Sequence, residues 1–178
     1  MADWRELFKN KKRTEGAEFS TIELLASVPL FEDFSKRELA AVERILHLRE
    51  YQQDELIFRQ GDRGMGMYIV LKGKVAVLSE PDNHELSELS DGDFFGEVAL
   101  LDESYRSATV KSKTDSKVFG FFQPDLYELI ERDTRLGLKI VMRVARHACL
   151  RLRQSNDRVI ALTAQIDALK NSQLTEMS

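Results

Sequence analysis

The run Phe95-Gly96-Glu97-Val98-Ala99-Leu100, followed after a short spacer by Arg106-Ser107-Ala108-Thr109-Val110, decides how this chain of 178 residues is interpreted. It places a glycine-led turn, an acid and an arginine among apolar residues. An unpaired charge in apolar surroundings costs on the order of several kcal/mol. The two charges therefore suit a ligand that brings hydroxyl groups to Glu97 and a phosphate to Arg106. A salt bridge between the two that braces a loop is the alternative.

The same run resembles the phosphate-binding cassette of cyclic nucleotide-binding domains, as found in catabolite activator protein and in the regulatory subunit of protein kinase A. The family pattern reads FGE-x-A-L, a short spacer, and then R-[S/T/A]-A-T-V. Two further segments, residues 58–62 (FRQGD) and 68–77 (YIVLKGKVAV), look like early strands of that family. The resemblance covers roughly residues 30–153. One departure is Tyr105, where many eukaryotic relatives place proline before the arginine.

Short β-rich segments separated by turns fill the middle of the chain, from about residue 47 to residue 122. Many short strands at this spacing favour an antiparallel sandwich or jelly roll over a parallel sheet. The resemblance implies a mainly β fold with flanking helices: an eight-stranded antiparallel jelly-roll β-barrel, N-terminal helices and a long C-terminal helix. The capping box of Ser35 and Glu38 predicts a helix from about Lys36 to Leu46.

The region after the strands reads as two helices. Pro124 suits the first turn of a short helix that ends near Glu131, and Asp133 is placed to cap a long helix that reaches about Lys170. We accordingly divide the chain into a charged N-terminal arm (1–20), a cyclic nucleotide-binding domain (21–155) and a coiled-coil extension of the long helix (156–178).

By the resemblance, the cassette turn holds the cyclic phosphate of a bound nucleotide. Gly96 has no Cβ and therefore allows close approach of the backbone. A short helix predicted from Glu97 to Leu101 would direct its free N–H groups at the phosphate. The backbone around Val98 and Ala99 would contact the phosphate directly.

Three side chains of the cassette have predicted roles. Arg106 offers a permanently charged planar fork to the phosphate oxygens, Glu97 accepts the ribose hydroxyl, and Ser107 adds a donor beside the phosphate. In the family, serine or threonine after the arginine can favour guanine, but serine also occurs in cAMP-binding bacterial regulators. The strand motifs look bacterial, so the predicted ligand is cAMP, with cGMP as the alternative.

The resemblance also assigns an apolar wall and a lid. Val77, Leu86 and Leu89 are expected to form the wall under the sugar and base. In relatives the C-terminal helix closes over the base and lends a polar or cationic side chain. Arg151 is the first candidate for this role and His147 is the second.

The long helix carries apolar residues at heptad spacing, which is typical of a coiled coil. This seam consists of Leu138, Val141, Ala145, Ala148, Leu152, Ser155, Val159, Leu162, Ile166 and Leu169. It predicts a parallel homodimer, with a helix folded back on its own domain as the alternative. A second stripe is expected to face the barrel and consists of Leu136, Ile140, Val144, His147 and Arg151.

Composition and residue spacing exclude several other functions. The three histidines lack the spacing of metal ligands and no nucleophile–base arrangement is evident, so neither an enzyme nor a bound metal or cofactor is expected. The net charge of −4 argues against nucleic-acid binding, and no apolar run is long enough to cross a membrane. A polar start and a single cysteine indicate the cytoplasm. The function that remains is a cyclic nucleotide sensor that signals to an unidentified downstream protein. A ligand-free scaffold of the same fold is the alternative.

Overall fold

The computed structural model describes residues 20–102 and 104–176, with side chains described up to residue 169. Apart from Ser20, the predicted charged arm lies outside the described residues. The chain enters the fold through two helices, α1 (Thr21–Ser27) and α2 (Lys36–Glu43), separated by a 3₁₀ turn at Pro29–Phe31.

The predicted capping box of α2 is present. The Ser35 hydroxyl accepts from the Glu38 N–H, and the Glu38 carboxylate accepts from the Ser35 N–H at 2.7 Å. The helix ends at Glu43, earlier than predicted. The next two amides, of Ile45 and Leu46, donate to carbonyls three residues back, which closes tight turns instead of extending the α-helix.

Eight strands form two four-stranded antiparallel sheets in the described part of the chain, which confirms the predicted mainly β jelly-roll fold. The sheet orders are β1-β8-β3-β6 and β2-β7-β4-β5. The strands are β1 (His47–Tyr51), β2 (Leu56–Phe58), β3 (Gly66–Lys72), β4 (Lys74–Ser79), β5 (His84–Ser90), β6 (Phe94–Phe95), β7 (Thr109–Ser112) and β8 (Ser116–Phe122).

Three helices complete the described fold: α3 (Val98–Leu101), α4 (Gln123–Arg132) and α5 (Thr134–Glu176). The Asp133 carboxylate accepts from the Leu136 N–H at 3.0 Å, as expected of a helix cap. With 43 residues, α5 is about 65 Å long. Its backbone continues beyond the predicted end near Lys170.

The first part of α5 is fixed to the domain by both apolar and charged contacts. Leu136, Ile140 and Val144 are buried in the larger core cluster, as the second stripe predicted. The Lys139 ammonium donates to the Asp33 carbonyl at 2.8 Å and to the Glu38 carboxylate at 2.9 Å. From residue 149 to residue 169 the helix is exposed, and most of the seam residues lie open to solvent in the single chain.

Candidate functional site

A cavity of about 990 Å³ lies between the sheet β2-β7-β4-β5, the segment around α3, and α5. We call it the cassette cavity. It collects nine of the ten residues predicted for the site: Val77, Leu89, Gly96, Glu97, Val98, Ala99, Arg106, Ser107 and Arg151. The second lid candidate, His147, also lines it.

The tenth predicted residue, Leu86, does not line the cassette cavity, so its assignment to the apolar wall is wrong. Between β4 and β5, Val77 pairs with Ser87 while the next residue, Leu78, pairs with Glu85. Leu86 is therefore the extra residue of a β-bulge, and its side chain is 52% exposed. Ser87 and Leu89 line the cavity from the same strand.

The turn at Gly96 brings the cassette backbone against Arg106. Gly96 has φ +72°, and a Cβ at this position would lie 2.5 Å from Nη1 of Arg106. Only a residue without a Cβ fits both the backbone conformation and the contact. Nη1 of Arg106 donates to the Gly96 carbonyl at 3.2 Å, so the glycine also helps to position the guanidinium.

Arg106 is a buried cation held by aromatic rings, with an exposure of 8%. Its Cζ lies 4.1 Å from the ring centroid of Phe58 and 5.8 Å from that of Tyr68, within the range of cation–π attraction. Burial lowers the pKa of the Arg106 guanidinium, while Tyr68, Asp62 and Glu97 oppose that change. Since the ordinary pKa of arginine is very high, the group keeps its charge at neutral pH.

The Glu97 carboxylate, 4% exposed, pairs with the lid helix instead of with Arg106. Nη1 of Arg151 donates to Oε2 of Glu97 at 2.7 Å. Nη2 of Arg151 donates to the Phe94 carbonyl at 2.8 Å, and the guanidinium lies 4.8 Å from the centroid of the Phe94 ring. The alternative of a Glu97–Arg106 salt bridge that braces the loop is therefore not what the structure shows.

His147 lies beside this arrangement, with its ring 5.3 Å from that of Phe94 in a T-shaped contact. Burial lowers the pKa of His147, and the positive charges of Arg151 and Arg143 act in the same direction. A hydrogen bond with the Pro29 backbone and the charge of Glu97 oppose the shift. The net lowering favours the neutral imidazole at the edge of the cavity.

Several lining residues were not anticipated. Ser87 shares a strand and a face with Leu89, so the two-residue period of the strand was a signal that could have found it. Leu150 follows His147 by three residues, and Gln154 follows Arg151 by three residues, so both pairs have helical spacing. Residues 26–29 and Glu32 line the cavity from the N-terminal helices, and no local pattern indicates that contact.

Among the described residues, no His, Cys, Asp and Glu side chains form a group of three or more that could hold a metal ion. None of the helices there is both long and apolar enough to span a membrane.

Known proteins are similar to this chain over the segment that contains the cassette. Residues 48–133 match the family model of the cyclic nucleotide-binding domain. The regulatory subunit of cAMP-dependent protein kinase from Mycosarcoma maydis is 42% identical over 88 residues, which cover 48% of this chain and 17% of that protein. The cGMP-dependent protein kinase isozyme 1 of Drosophila melanogaster is 32% identical over 144 residues, which cover 73% of this chain and 19% of that protein.

A solved structure extends the similarity to the fold. The crystal structure of Thermus thermophilus catabolite activator protein superimposes with a TM-score of 0.67 at 31% identity, covering 76% of this chain and 63% of that chain. Residues 48–133 of the present chain are thus a cyclic nucleotide-binding domain, which confirms the resemblance of the cassette that lies within them. The chain spans less than a fifth of the length of either protein kinase relative.

Proposed function

We propose that this protein is a cyclic nucleotide sensor that binds cAMP in the cassette cavity and reports binding through α5. The observation that carries the proposal is that Arg106 and Glu97 line one cavity without being paired with each other. The cavity's volume of about 990 Å³ lies within the usual range for small-molecule sites, roughly 300–1,000 Å³.

Each part of the nucleotide finds complementary chemistry in the cavity. Arg106 donates to Gly96 with Nη1, which leaves several N–H donors of the guanidinium for the cyclic phosphate. Arg151 binds Oε2 of Glu97, and Oε1 is available to the ribose 2′-hydroxyl. Val77 and Leu89 provide apolar surface on which the purine can lie.

The Arg151–Glu97 contact supports a relay from the ligand to the helix. The carboxylate that accepts the ribose hydroxyl is also the carboxylate that anchors α5. A nucleotide that completes the hydrogen bonding of Glu97 favours the state in which α5 is docked, and the shift is limited by its differential affinity for the two states. Arg151 thus anchors α5 to Glu97, the proposed acceptor of the ribose hydroxyl.

The same helix supports a parallel homodimer. The stripe of α5 that faces the barrel is buried against the domain, whereas the seam residues from Leu138 to Leu169 are largely exposed and repeat at heptad spacing.

The proposal also divides the chain by role. We propose that residues 21–155 are the sensing domain, that residues 156–178 extend the dimer seam, and that residues 1–20 form an arm. The signal then passes in the cytoplasm to a downstream protein, by a non-enzymatic mechanism.

A second candidate ligand is cGMP. Ser107 lines the cassette cavity beside Arg106, where a hydroxyl can reach the exocyclic amine of guanine. The cGMP-dependent kinase among the relatives favours the same alternative. The bacterial character of the strand motifs places cAMP first.

Calorimetric titration with cAMP, cGMP and AMP tests the proposal. We expect cAMP to bind most tightly and AMP, whose phosphate is not cyclic, to bind much more weakly. Arg106→Leu should weaken cAMP binding about 10- to 150-fold, because a charge-assisted hydrogen bond contributes roughly 1.5–3 kcal/mol. Arg146→Leu, on the outer surface of α5, is the matched control and should bind like the wild type.

Because Arg106 packs on Phe58, its replacement by leucine could disturb the fold and weaken binding indirectly. A far-UV circular dichroism spectrum of Arg106→Leu that matches the wild type shows that the fold is retained. Arg106→Lys keeps the charge without the fork and should bind with intermediate affinity. Equal, weak heats for all three nucleotides and for all variants would contradict the sensor and favour a ligand-free scaffold.

A further inference from the structure

Behind the cassette, a second cavity of about 480 Å³ is walled by aromatic side chains. We call it the aromatic cavity. It shares Arg106 and Phe58 with the cassette cavity, and the rest of its lining comes from β1, β3, β8, the loop that precedes β3, and the start of α4. We propose that the aromatic cavity is a second binding site, that its ligand is a small aromatic anion, and that Arg106 couples it to the cassette cavity.

The apolar part of the site is a row of rings that cross the junction of the two sheets. The ring centroids of Phe58 and Tyr68 are 5.9 Å apart, those of Tyr68 and Phe122 are 6.1 Å apart at 89°, and that of His47 lies 5.5 Å from Phe122. Neighbouring rings at these separations leave both faces and edges for a further aromatic ring. Met65 and Pro124 complete the apolar lining.

The side chains of Phe58, Tyr68 and Phe122 are half-buried, whereas comparable rings of the core, such as Phe31 and Phe121, are fully buried. The row therefore presents aromatic surface to the cavity that the fold itself leaves uncovered. A flat apolar group placed there removes this surface from water, which favours binding.

The hydrogen-bond partners of side chains that line the aromatic cavity indicate which charge its ligand carries. Asp125 pairs with His47 at 3.1 Å and accepts from the Phe122 N–H at 3.3 Å. Asp62 accepts from the Arg59 N–H at 2.8 Å. By contrast, the guanidinium of Arg106, more than nine-tenths buried, donates a side-chain hydrogen bond to Gly96 and keeps further N–H donors.

A buried cation with unused donors favours an anionic acceptor. The row of rings favours an aromatic body for the same molecule, so a bare inorganic anion would use only part of the site. An aromatic carboxylate meets both requirements, with its ring over the row and its oxygens on Arg106.

Sharing Arg106 couples the two cavities. A single guanidinium that turns its donors toward a carboxylate in the aromatic cavity offers fewer to an anion in the cassette cavity. By thermodynamic linkage, each ligand then lowers the affinity of the protein for the other ligand by the same factor. This coupling depends on the proposed binding of a cyclic nucleotide, whereas binding in the aromatic cavity does not.

The test uses 2-naphthoate as the probe, with 2-naphthalenemethanol as its uncharged match, titrated into the full chain and followed by naphthyl fluorescence. We expect 2-naphthoate to bind at least about tenfold more tightly than the alcohol, the factor expected of one charge-assisted contact. Equal affinities would overturn the assignment of an anion.

Two variants locate the probe. Met65→Asp places a carboxylate at the rim of the aromatic cavity on an exposed side chain and should weaken 2-naphthoate by about tenfold or more. Met142→Asp, exposed on α5 away from both cavities, is the matched control and should leave the affinity unchanged. Ser87→Phe fills the cassette cavity and should not affect 2-naphthoate. Loss of probe binding in Ser87→Phe, with retention in Met65→Asp, would place the probe in the cassette cavity and overturn the proposal.

A final titration separates this proposal from the sensor function. Saturating cAMP should lower the affinity of the protein for 2-naphthoate, and saturating 2-naphthoate should lower its affinity for cAMP by the same factor. If cAMP gives no binding signal while 2-naphthoate binds as expected, the sensor function fails and the second site stands. If both bind without affecting each other, the coupling through Arg106 is refuted.

Discussion

Two segments of the same helix, residues 134–151 and residues 152–169 of α5, use their apolar residues in opposite ways. In the first segment, Leu136, Ile140 and Val144 are buried against the domain, and Lys139 and Arg151 reach acids of other elements. In the second segment, apolar side chains at heptad spacing are exposed. The comparison indicates that the first segment is part of the core of the domain, whereas the second segment presents the uncovered apolar seam that the proposed homodimer would bury.

The largest effect is expected in the first segment. Ile140→Ala removes a fully buried side chain from the core around the N-terminal helices and should lower the free energy of unfolding by about 2–5 kcal/mol. Ile160→Ala, on the exposed segment, should change it by less than about 0.5 kcal/mol. Urea unfolding followed by circular dichroism measures both, and equal losses would contradict the division of the helix.

The second prediction concerns the seam. Leu162→Asp places a charge where the proposed homodimer would bury a leucine, so the dimer dissociation constant should rise at least about a hundredfold. Ile160→Asp, outside the heptad seam but more exposed (68% against 50%), is the matched control. Sedimentation equilibrium distinguishes them. If Ile160→Asp dissociates the dimer as strongly as Leu162→Asp, the seam is misassigned.

A smaller effect on the free energy of unfolding is expected at the contact between Arg151 of α5 and Glu97. Arg151→Gln leaves the buried Glu97 carboxylate without its cation and should destabilise the domain by about 1 kcal/mol. The loss is smaller than for a fully buried pair because the Arg151 side chain is 46% exposed. Arg153→Gln, two residues further along α5, should cost nothing measurable.

Combining Arg151→Gln with Glu97→Gln should recover part of the stability that Arg151→Gln loses. A double-mutant cycle reports this coupling. If the two losses simply add, the anchor contributes nothing.

The smallest effect is a pH dependence. Burial lowers the pKa of His147 on folding, so the unfolded chain binds the proton more readily than the folded one. This contribution to stability is present above the ordinary histidine pKa of about 6.5 and is lost as the pH falls through the lower folded value. Stability measured from about pH 7.5 to about pH 5 should therefore decline less in His147→Gln than in the wild type. His84→Gln, on an exposed strand, should follow the wild type.

Features encoded by nearby residues could be predicted from the sequence. The cassette lies in one short segment, and its turn, its acid and its arginine are brought together by local folding. The capping box of Ser35 and Glu38 spans four residues, and the two stripes of α5 follow from helical periodicity. These predictions needed no knowledge of the tertiary structure.

Features that depend on distant contacts could not be predicted in this way. The bulge that excludes Leu86 from the cassette cavity arises from pairing between β4 and β5, and β-bulges leave little signal in a single strand. The contribution of residues 26–29 to the wall, and the choice of Arg151 over Arg106 as partner of Glu97, depend on how separate elements pack. The aromatic cavity likewise draws on strands from both sheets.

A crystal structure of the protein grown with cAMP tests the central claim most directly. We expect a cyclic-phosphate oxygen within about 3.2 Å of the Arg106 guanidinium and the ribose 2′-hydroxyl at a similar distance from Glu97, with Arg151 still on the other carboxylate oxygen. A nucleotide bound elsewhere, or a cassette cavity that stays empty at saturating cAMP, would contradict the account.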